Sequence, residues 1–171
     1  MNLEQKILAK EIQQILYDNG KTLGTAESCT GGRIAEAIIA VPGASNYFKG
    51  GVISYTDEIK ENLLGVDKKV LEEKTAVSEE VAKLMVSGAC KALNVDYAIS
   101  ATGVAGPGGG TIENPVGTIW IGYGSKDDIH TIKLTEDEGR DINLSNATQV
   151  ALKSFLRYIK EKNCVEMTGE N

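Results

Sequence analysis

Short apolar segments with strand character alternate with amphipathic helical stretches along most of this chain, and two adjacent strand segments then precede one long terminal helix. That order confines the fold to a small group, because strands separated by helices must cross over and lie parallel, whereas two strands joined by a tight turn pair antiparallel. Leu3, Ile7, Leu8, Ile12, Ile15 and Leu16 recur at helical spacing, and Asn19-Gly20 closes this first helix. Residues 21–26 read as a strand, and Gly31 to about Val41 as a helix with Ile34, Ala35, Ile38 and Ile39 inward, stopped by Pro42-Gly43. Residues 51–56 read as a second strand, after which Asp57 can cap a helix through Ile59, Leu63 and Leu64. Ser78 opens a helix whose Val81, Leu84, Met85, Gly88, Ala89 and Leu93 form one stripe. A third strand, 97–101, leads into a glycine-rich loop. Residues 116–124 and 129–134 form the hairpin, a helix runs from about Ile142 to Lys162, and the tail from Glu166 to Asn171 is expected to fray. The expected architecture is an α/β fold: a three-layer α/β/α sandwich with a mostly parallel, mixed sheet, closed by a C-terminal hairpin and helix.

A chain of 171 residues, 42% hydrophobic, fits one domain spanning 1–171. Its net charge of -6 argues against broad nucleic-acid binding, which neutralises many phosphates with clustered lysine and arginine. Cys29, Cys90 and Cys164 are odd in number and widely spaced, so neither a disulfide framework nor a zinc site is expected, and no cofactor is implied. The amino terminus is polar and no apolar run is long enough to span a bilayer, which points to a cytoplasmic protein without a membrane partner. The number of subunits is left open, a homo-oligomer included.

In such sheets ligands bind outside the carboxyl ends of the strands. Three segments leave strands at that edge. The first, Thr25-Ala26-Glu27-Ser28-Cys29-Thr30-Gly31-Gly32-Arg33, sets a hydroxyl and a thiol between a strand and a helix start, where free N–H groups can hold an anion or a developing oxyanion. Ser28 and Cys29 are rival nucleophiles, and Thr30 reads as the helix cap. Glu27 either orients the turn or pairs with a basic residue. The single histidine, His130, lies in a distant strand pattern, so a lysine is the better base. Lys60, one turn into a helix, is disfavoured as an ammonium by the macrodipole and by any burial. Tyr55 just before it can relay a proton or orient the lysine, or simply cap the sheet. The third segment holds Thr102, Gly103 and Gly106; its glycines match neither a phosphate-binding nor a dinucleotide fingerprint. Arg140, one of three arginines, stands at the entrance of the last helix, where guanidinium and helix N-terminus can hold a phosphate together.

At these residues the sequence resembles the CinA carboxyl-terminal domain family, whose stand-alone members include nicotinamide-nucleotide amidases. The resemblance rests on residues 25–32, on Gly50-Gly51-Val52-Ile53-Ser54-Tyr55 with Lys60, on Ala76-Val77-Ser78, and on the run from Thr102 to Gly109 leading to Pro115-Val116-Gly117-Thr118. It implies hydrolysis of the amide of nicotinamide mononucleotide to nicotinate mononucleotide and ammonia. The implied catalytic residues are Ser28, Lys60 and Tyr55. The implied substrate-binding residues are Thr30, Gly31, Gly32, Ser45, Thr102, Gly103, Gly106 and Arg140, with no metal. It also demotes Cys29. Larger CinA proteins carry an additional amino-terminal domain with nucleotide pyrophosphatase activity, for which this chain is too short. The alternatives are a non-catalytic nucleotide-binding domain and a cysteine amidase using Cys29.

Overall fold

The computed structural model describes residues 2–168, with side chains through Cys164. Five strands form one sheet: β1 (Leu23–Glu27), β2 (Phe48–Ile53), β3 (Tyr97–Gly103), β4 (Ile119–Ser125) and β5 (Asp128–Leu134). Their spatial order is β2-β1-β3-β4-β5; β1 pairs in parallel with β2 and β3, and β4 pairs antiparallel with β3 and β5. The sheet is thus mixed, with β4 alone running against the other four.

Helices cover both faces. On one side α1 (Leu3–Asp18), α2 (Arg33–Ile39) and α6 (Arg140–Thr168) pack over Leu23, Ile99, Ile119 and Ile121; Phe155 and Tyr158 of α6 add aromatic contacts to Tyr97 with ring centroids 5.9 Å apart. On the other side α3 (Asp57–Leu64), α4 (Lys68–Lys74) and α5 (Glu79–Leu93) pack over Ala26 and Ala98. Gly88 brings α5 against the C-terminus of α3, since a Cβ there would strike the Leu64 carbonyl. This close packing fixes the helix that carries Lys60.

The chain steps from β1 outward to β2, then crosses back to β3 on the other side of β1, so the order reverses between β1 and β3. That is where open α/β sheets form a crevice at their carboxyl edge. Several expectations shift. β2 begins at Phe48 and ends at Ile53, placing Tyr55 after the strand instead of within it. Burial in β2 alternates because it is an edge strand with one covered face. Ile39 is exposed, and Ala37 takes an inward place beside Ile34 and Ile38. Helix α4 was not expected, as its only strong sequence signal is the Asp67 cap, whose carboxylate accepts from the Lys69 N–H. Helix α6 starts at Arg140 and continues to Thr168, past the expected start of the frayed tail; residues 169–171 lie outside the described residues.

Candidate active site

The candidate nucleophile is positioned by the carboxyl edge of the sheet. At the end of β1 the backbone stays in the ladder for one further residue: the Ser28 N–H donates to the Ala101 carbonyl at 2.8 Å, and the Ser54 N–H donates to the Glu27 carbonyl at 2.8 Å. The chain then turns through Gly31 (φ +59°) and Gly32 (φ +100°) into α2. A left-handed pair of residues there favours glycine.

Glu27 closes this turn. Its Oε2 accepts from the Thr30 hydroxyl (2.7 Å), the Gly32 N–H (3.0 Å) and the Ile34 N–H (3.1 Å), and its Oε1 accepts from the Ala35 N–H (2.8 Å). The carboxylate is buried and occupies the positive end of α2. Thr30 is therefore not the helix cap; Gly32 is the residue before α2, and Glu27 supplies the acceptors. The N–H groups expected to hold an anion at this helix are occupied from within the protein.

Ser28 Oγ faces Lys60. The Thr56 hydroxyl caps α3 by accepting from the Ile59 N–H at 3.4 Å, and the next turn projects Lys60 inward, where it is 1% exposed. Its Nζ donates to Ser28 Oγ at 3.3 Å and to the Ser54 carbonyl at 3.0 Å, and stands 3.6 Å from Asp57 Oδ1. Burial pulls the Lys60 pKa below the usual lysine range, with the Asp57 carboxylate opposing that shift. A serine hydroxyl against a buried amine of lowered pKa is a nucleophile with a base in reach. Cys29 differs. Burial drives its thiol up to about 12, assisted by the nearby Glu27 charge against hydrogen bonds from the Cys29 and Thr30 backbone. A thiol in that state supplies almost no thiolate near neutral pH.

Ser28, Cys29, Tyr55, Asp57 and Lys60 line a cleft of about 290 Å³ together with Thr102, Gly103, Gly106, Arg140 and neighbouring residues of the glycine loop. Thr102 Oγ1 donates to the Ala76 carbonyl at 2.7 Å, which leaves its oxygen free to accept. The glycine loop is held by the first turn of α6: Arg140 Nη1 donates to the Gly106 carbonyl at 2.8 Å, and Asn143 Nδ2 donates to the Ala105 carbonyl at 3.1 Å and to Asp137 Oδ1 at 2.9 Å. Tyr55 is 61% exposed, so it does not cap the sheet.

The structure thus brings together Ser28, Lys60, Tyr55, Thr102, Gly103, Gly106 and Arg140, but not Thr30, Gly31, Gly32 or Ser45. Thr30 is fully buried with its hydroxyl on Glu27, and the Gly32 N–H is spent on the same carboxylate. Neither Gly31 nor Gly32 lines the cleft. Ser45 sits exposed in a short turn of 3₁₀ helix, Ala44–Asn46, before β2 and away from the cleft. His130 stacks on Tyr123 and meets Asp128 at 3.1 Å on the edge strand. Sequence reasoning gave three residues here no part in the site, and it read Asp57 as the helix cap, a place Thr56 takes. Asp57 could have been found as an acid one helical turn before Lys60, whereas Ser54, acting through its carbonyl, and Asn143, bridging two loops, have no sequence signal. A wider groove of about 1000 Å³ between the C-terminal ends of α3 and α5 contains Cys90, whose thiol burial raises to about 11, but no hydroxyl–amine pair of this kind.

Residues 5–159 match the CinA C-terminal domain family, and the chain belongs to that family. A putative competence-damage inducible protein of Halothermothrix orenii is 44% identical over 158 residues, covering 92% of this chain and 38% of that protein. A CinA-like protein of Leptospira borgpetersenii is 51% identical over 119 residues, covering 70% of this chain and 28% of the relative. The chain spans less than two-fifths of the length of these curated relatives. Among solved structures, a CinA superfamily protein from Klebsiella pneumoniae superposes with a TM-score of 0.88 at 30% identity, covering 94% of this chain and 99% of that one. The competence/damage inducible protein CihA from Agrobacterium tumefaciens gives 0.88 at 32% identity over the same shares. No helix among the described residues is long and apolar enough to cross a membrane.

Proposed function

We propose that this CinA C-terminal domain is a serine amidase that hydrolyses the carboxamide of nicotinamide mononucleotide to nicotinate mononucleotide and ammonia, a step of pyridine nucleotide salvage in the cytoplasm. The observation that carries the reading is the Ser28 Oγ–Lys60 Nζ contact of 3.3 Å with the amine 1% exposed. A site that only held a nucleotide has no need to bury an amine against a hydroxyl. The family resemblance supplies the substrate; the chemistry follows from the pair.

Neutral Lys60 takes the proton of the Ser28 hydroxyl as Oγ bonds to the carboxamide carbon. It then returns that proton to the nitrogen as the C–N bond breaks and ammonia leaves. A water activated by the same amine cleaves the acyl ester and restores Ser28. The Ser54 carbonyl holds Nζ in place through both transfers. Tyr55, exposed at the mouth, offers a ring face to the pyridine, while Lys60 Nζ is oriented by donating to Ser28 Oγ and to the Ser54 carbonyl. With α2 capped by Glu27, the phosphate falls to Arg140 and the first turn of α6. A thiol mechanism through Cys29 is disfavoured by its pKa of about 12. The ligand is a small nucleotide, with no nucleic acid or membrane as partner.

The test is incubation of purified protein with nicotinamide mononucleotide and measurement of ammonia and nicotinate mononucleotide. Stoichiometric release of both, lost in Ser28→Ala, is expected; binding without release would reduce the domain to a nucleotide receptor.

A further inference from the structure

Three charged side chains line the cleft: Asp57, Lys60 and Arg140. Two are basic, the Lys60 amine and the Arg140 guanidinium, and each is already engaged, Lys60 by Ser28 and Ser54 and Arg140 by the Gly106 carbonyl. Asp57 is the sole carboxylate of the lining and is 56% exposed. Its contact with Lys60 is loose, at 3.6 Å, and Lys60 has closer partners. A surface acid in the first turn of a helix commonly does no more than face the macrodipole. Here that explanation is shared with Glu58, the next residue of the same turn, which does not line the cleft. What separates Asp57 from its neighbour is its place beside the nucleophile–amine pair.

We propose that Asp57 is the anionic subsite that receives a cationic ring attached to the scissile carboxamide, making the cleft selective for N-substituted pyridinium amides over uncharged ones. The proposal rests on the amidase reading and specifies its substrate class. The reacting carbon must come within about 3–3.5 Å of Ser28 Oγ. From Oγ to Nζ is 3.3 Å and from Nζ to Asp57 Oδ1 is 3.6 Å, so the carboxylate lies at most about 7 Å from the nucleophile. A ring bonded directly to the carboxamide is carried to that same end of the cleft, and Arg140 lies at the glycine-loop wall. A pyridinium mononucleotide carries its positive charge on the ring and its negative charge on the phosphate. The carboxylate beside Ser28 and the guanidinium on the loop offer the opposite signs. With Lys60 held by Ser54 and Ser28, Asp57 can turn its exposed oxygens to the ring without freeing the amine.

The experiment measures dissociation constants by calorimetry for two ligands on the Ser28→Ala protein, which binds without turning over. One ligand is nicotinamide mononucleotide, and the other is its reduced 1,4-dihydropyridine form, which keeps the carboxamide and phosphate but has an uncharged ring. Asp57→Asn, nearly isosteric and half exposed, is then added to Ser28→Ala. The cationic ligand is expected to lose about fivefold in affinity, the factor matching ~1 kcal/mol for a partly screened charge pair. The uncharged ligand should lose less than about twofold, a selectivity that a merely structural role would not produce. Equal losses on both ligands, no loss on either, or no binding of the cationic ligand would overturn the proposal. Ammonia release by the wild-type protein scores the amidase reading separately. Release without charge selectivity removes only the role of Asp57, and charge-selective binding without release removes only the hydrolysis.

Discussion

Replacing Glu27 by glutamine tests whether the nucleophile turn is held by a carboxylate capping its own following helix. Glutamine keeps one oxygen. Placed at the Oε2 position, that oxygen retains the Thr30, Gly32 and Ile34 donors, while the amide NH₂ faces the Ala35 N–H, which donates to Oε1 at 2.8 Å. One hydrogen bond to a charged acceptor is lost at about 1.5–3 kcal/mol. The other three lose their charge assistance, and the α2 terminus loses an anion worth roughly 0.3–1 kcal/mol. The sum is a destabilisation of about 3 kcal/mol. In urea, with a slope of about 2 kcal/mol/M, the midpoint should fall by about 1.5 M at unchanged slope. By heat, the melting temperature should fall by roughly 6–12 °C. The control is Glu36→Gln, exposed on the same helix, which should change stability by less than about 0.5 kcal/mol. Ser28 directly follows Glu27, so kcat should also drop, since a displacement of about 1 Å at a reacting group can cost about a hundredfold. A Glu27→Gln protein within about 0.5 kcal/mol of wild type would refute the assignment of the cap.

Ser28→Ala is expected to reduce turnover by at least about a thousandfold while Cys29→Ala keeps most of it, because only the serine has a buried amine in reach and the thiol is protonated below about pH 12; the reverse pattern in an ammonia assay would move the chemistry to the thiol. Lys60 has a lowered pKa and must be neutral to act as base, so activity should rise with pH through a limb below the ordinary lysine value of 10.5. Lys60→Arg, which retains charge but not basicity, should lose about 10²–10⁴-fold and the limb with it; a fully active arginine variant would end the serine–lysine mechanism. Arg140→Ala should raise KM for nicotinamide mononucleotide about 10–100-fold and that of the phosphate-free riboside by less than about threefold, and equal changes would remove its phosphate role.

Most of the fold was legible because its elements carry periodic or capping signals that tertiary packing did not overrule. The Ser78 cap, the α5 stripe and a long terminal helix are all where pattern reading puts them, with Leu144, Ala147, Ala151, Phe155 and Tyr158 of α6 buried. β2 was displaced by three residues because Lys49-Gly50-Gly51 breaks the apolar run, and an edge strand needs only one covered face. Helix α4 escaped since seven residues with two apolar side chains make no stripe. At the site, the spacing of Ser28 and Lys60 in the chain says nothing about their 3.3 Å contact; the topology does, by placing the ends of β1 and β2 side by side. The Cys29 thiol and Ser28 hydroxyl are adjacent in sequence and differ only in which of them faces a base, a distinction burial makes and composition does not.

The Glu27 cap has a consequence for how a ligand's charge is divided. A strand followed by a glycine-opened helix is a natural anion site, yet here the Gly32 amide, two α2 amides and a threonine hydroxyl already bind a carboxylate three to eight residues away in sequence. An anionic ligand brought to that terminus would meet like charge and no free donors. The remaining cationic wall is the one across the cleft, where α6 begins at Arg140 and Gly139 turns the chain with φ +92°. Separating the two functions serves the chemistry: a phosphate beside Ser28 would favour the ammonium form of Lys60 and hold the base protonated. A phosphate held at Arg140 leaves burial the leading influence on the amine, so substrates with the anion moved next to the carboxamide should be poor even when they bind. Pyridine-3-carboxamides carrying a phosphonate on the ring test this directly, and efficient hydrolysis of such a compound would show that the two ends of the cleft are not electrically separate.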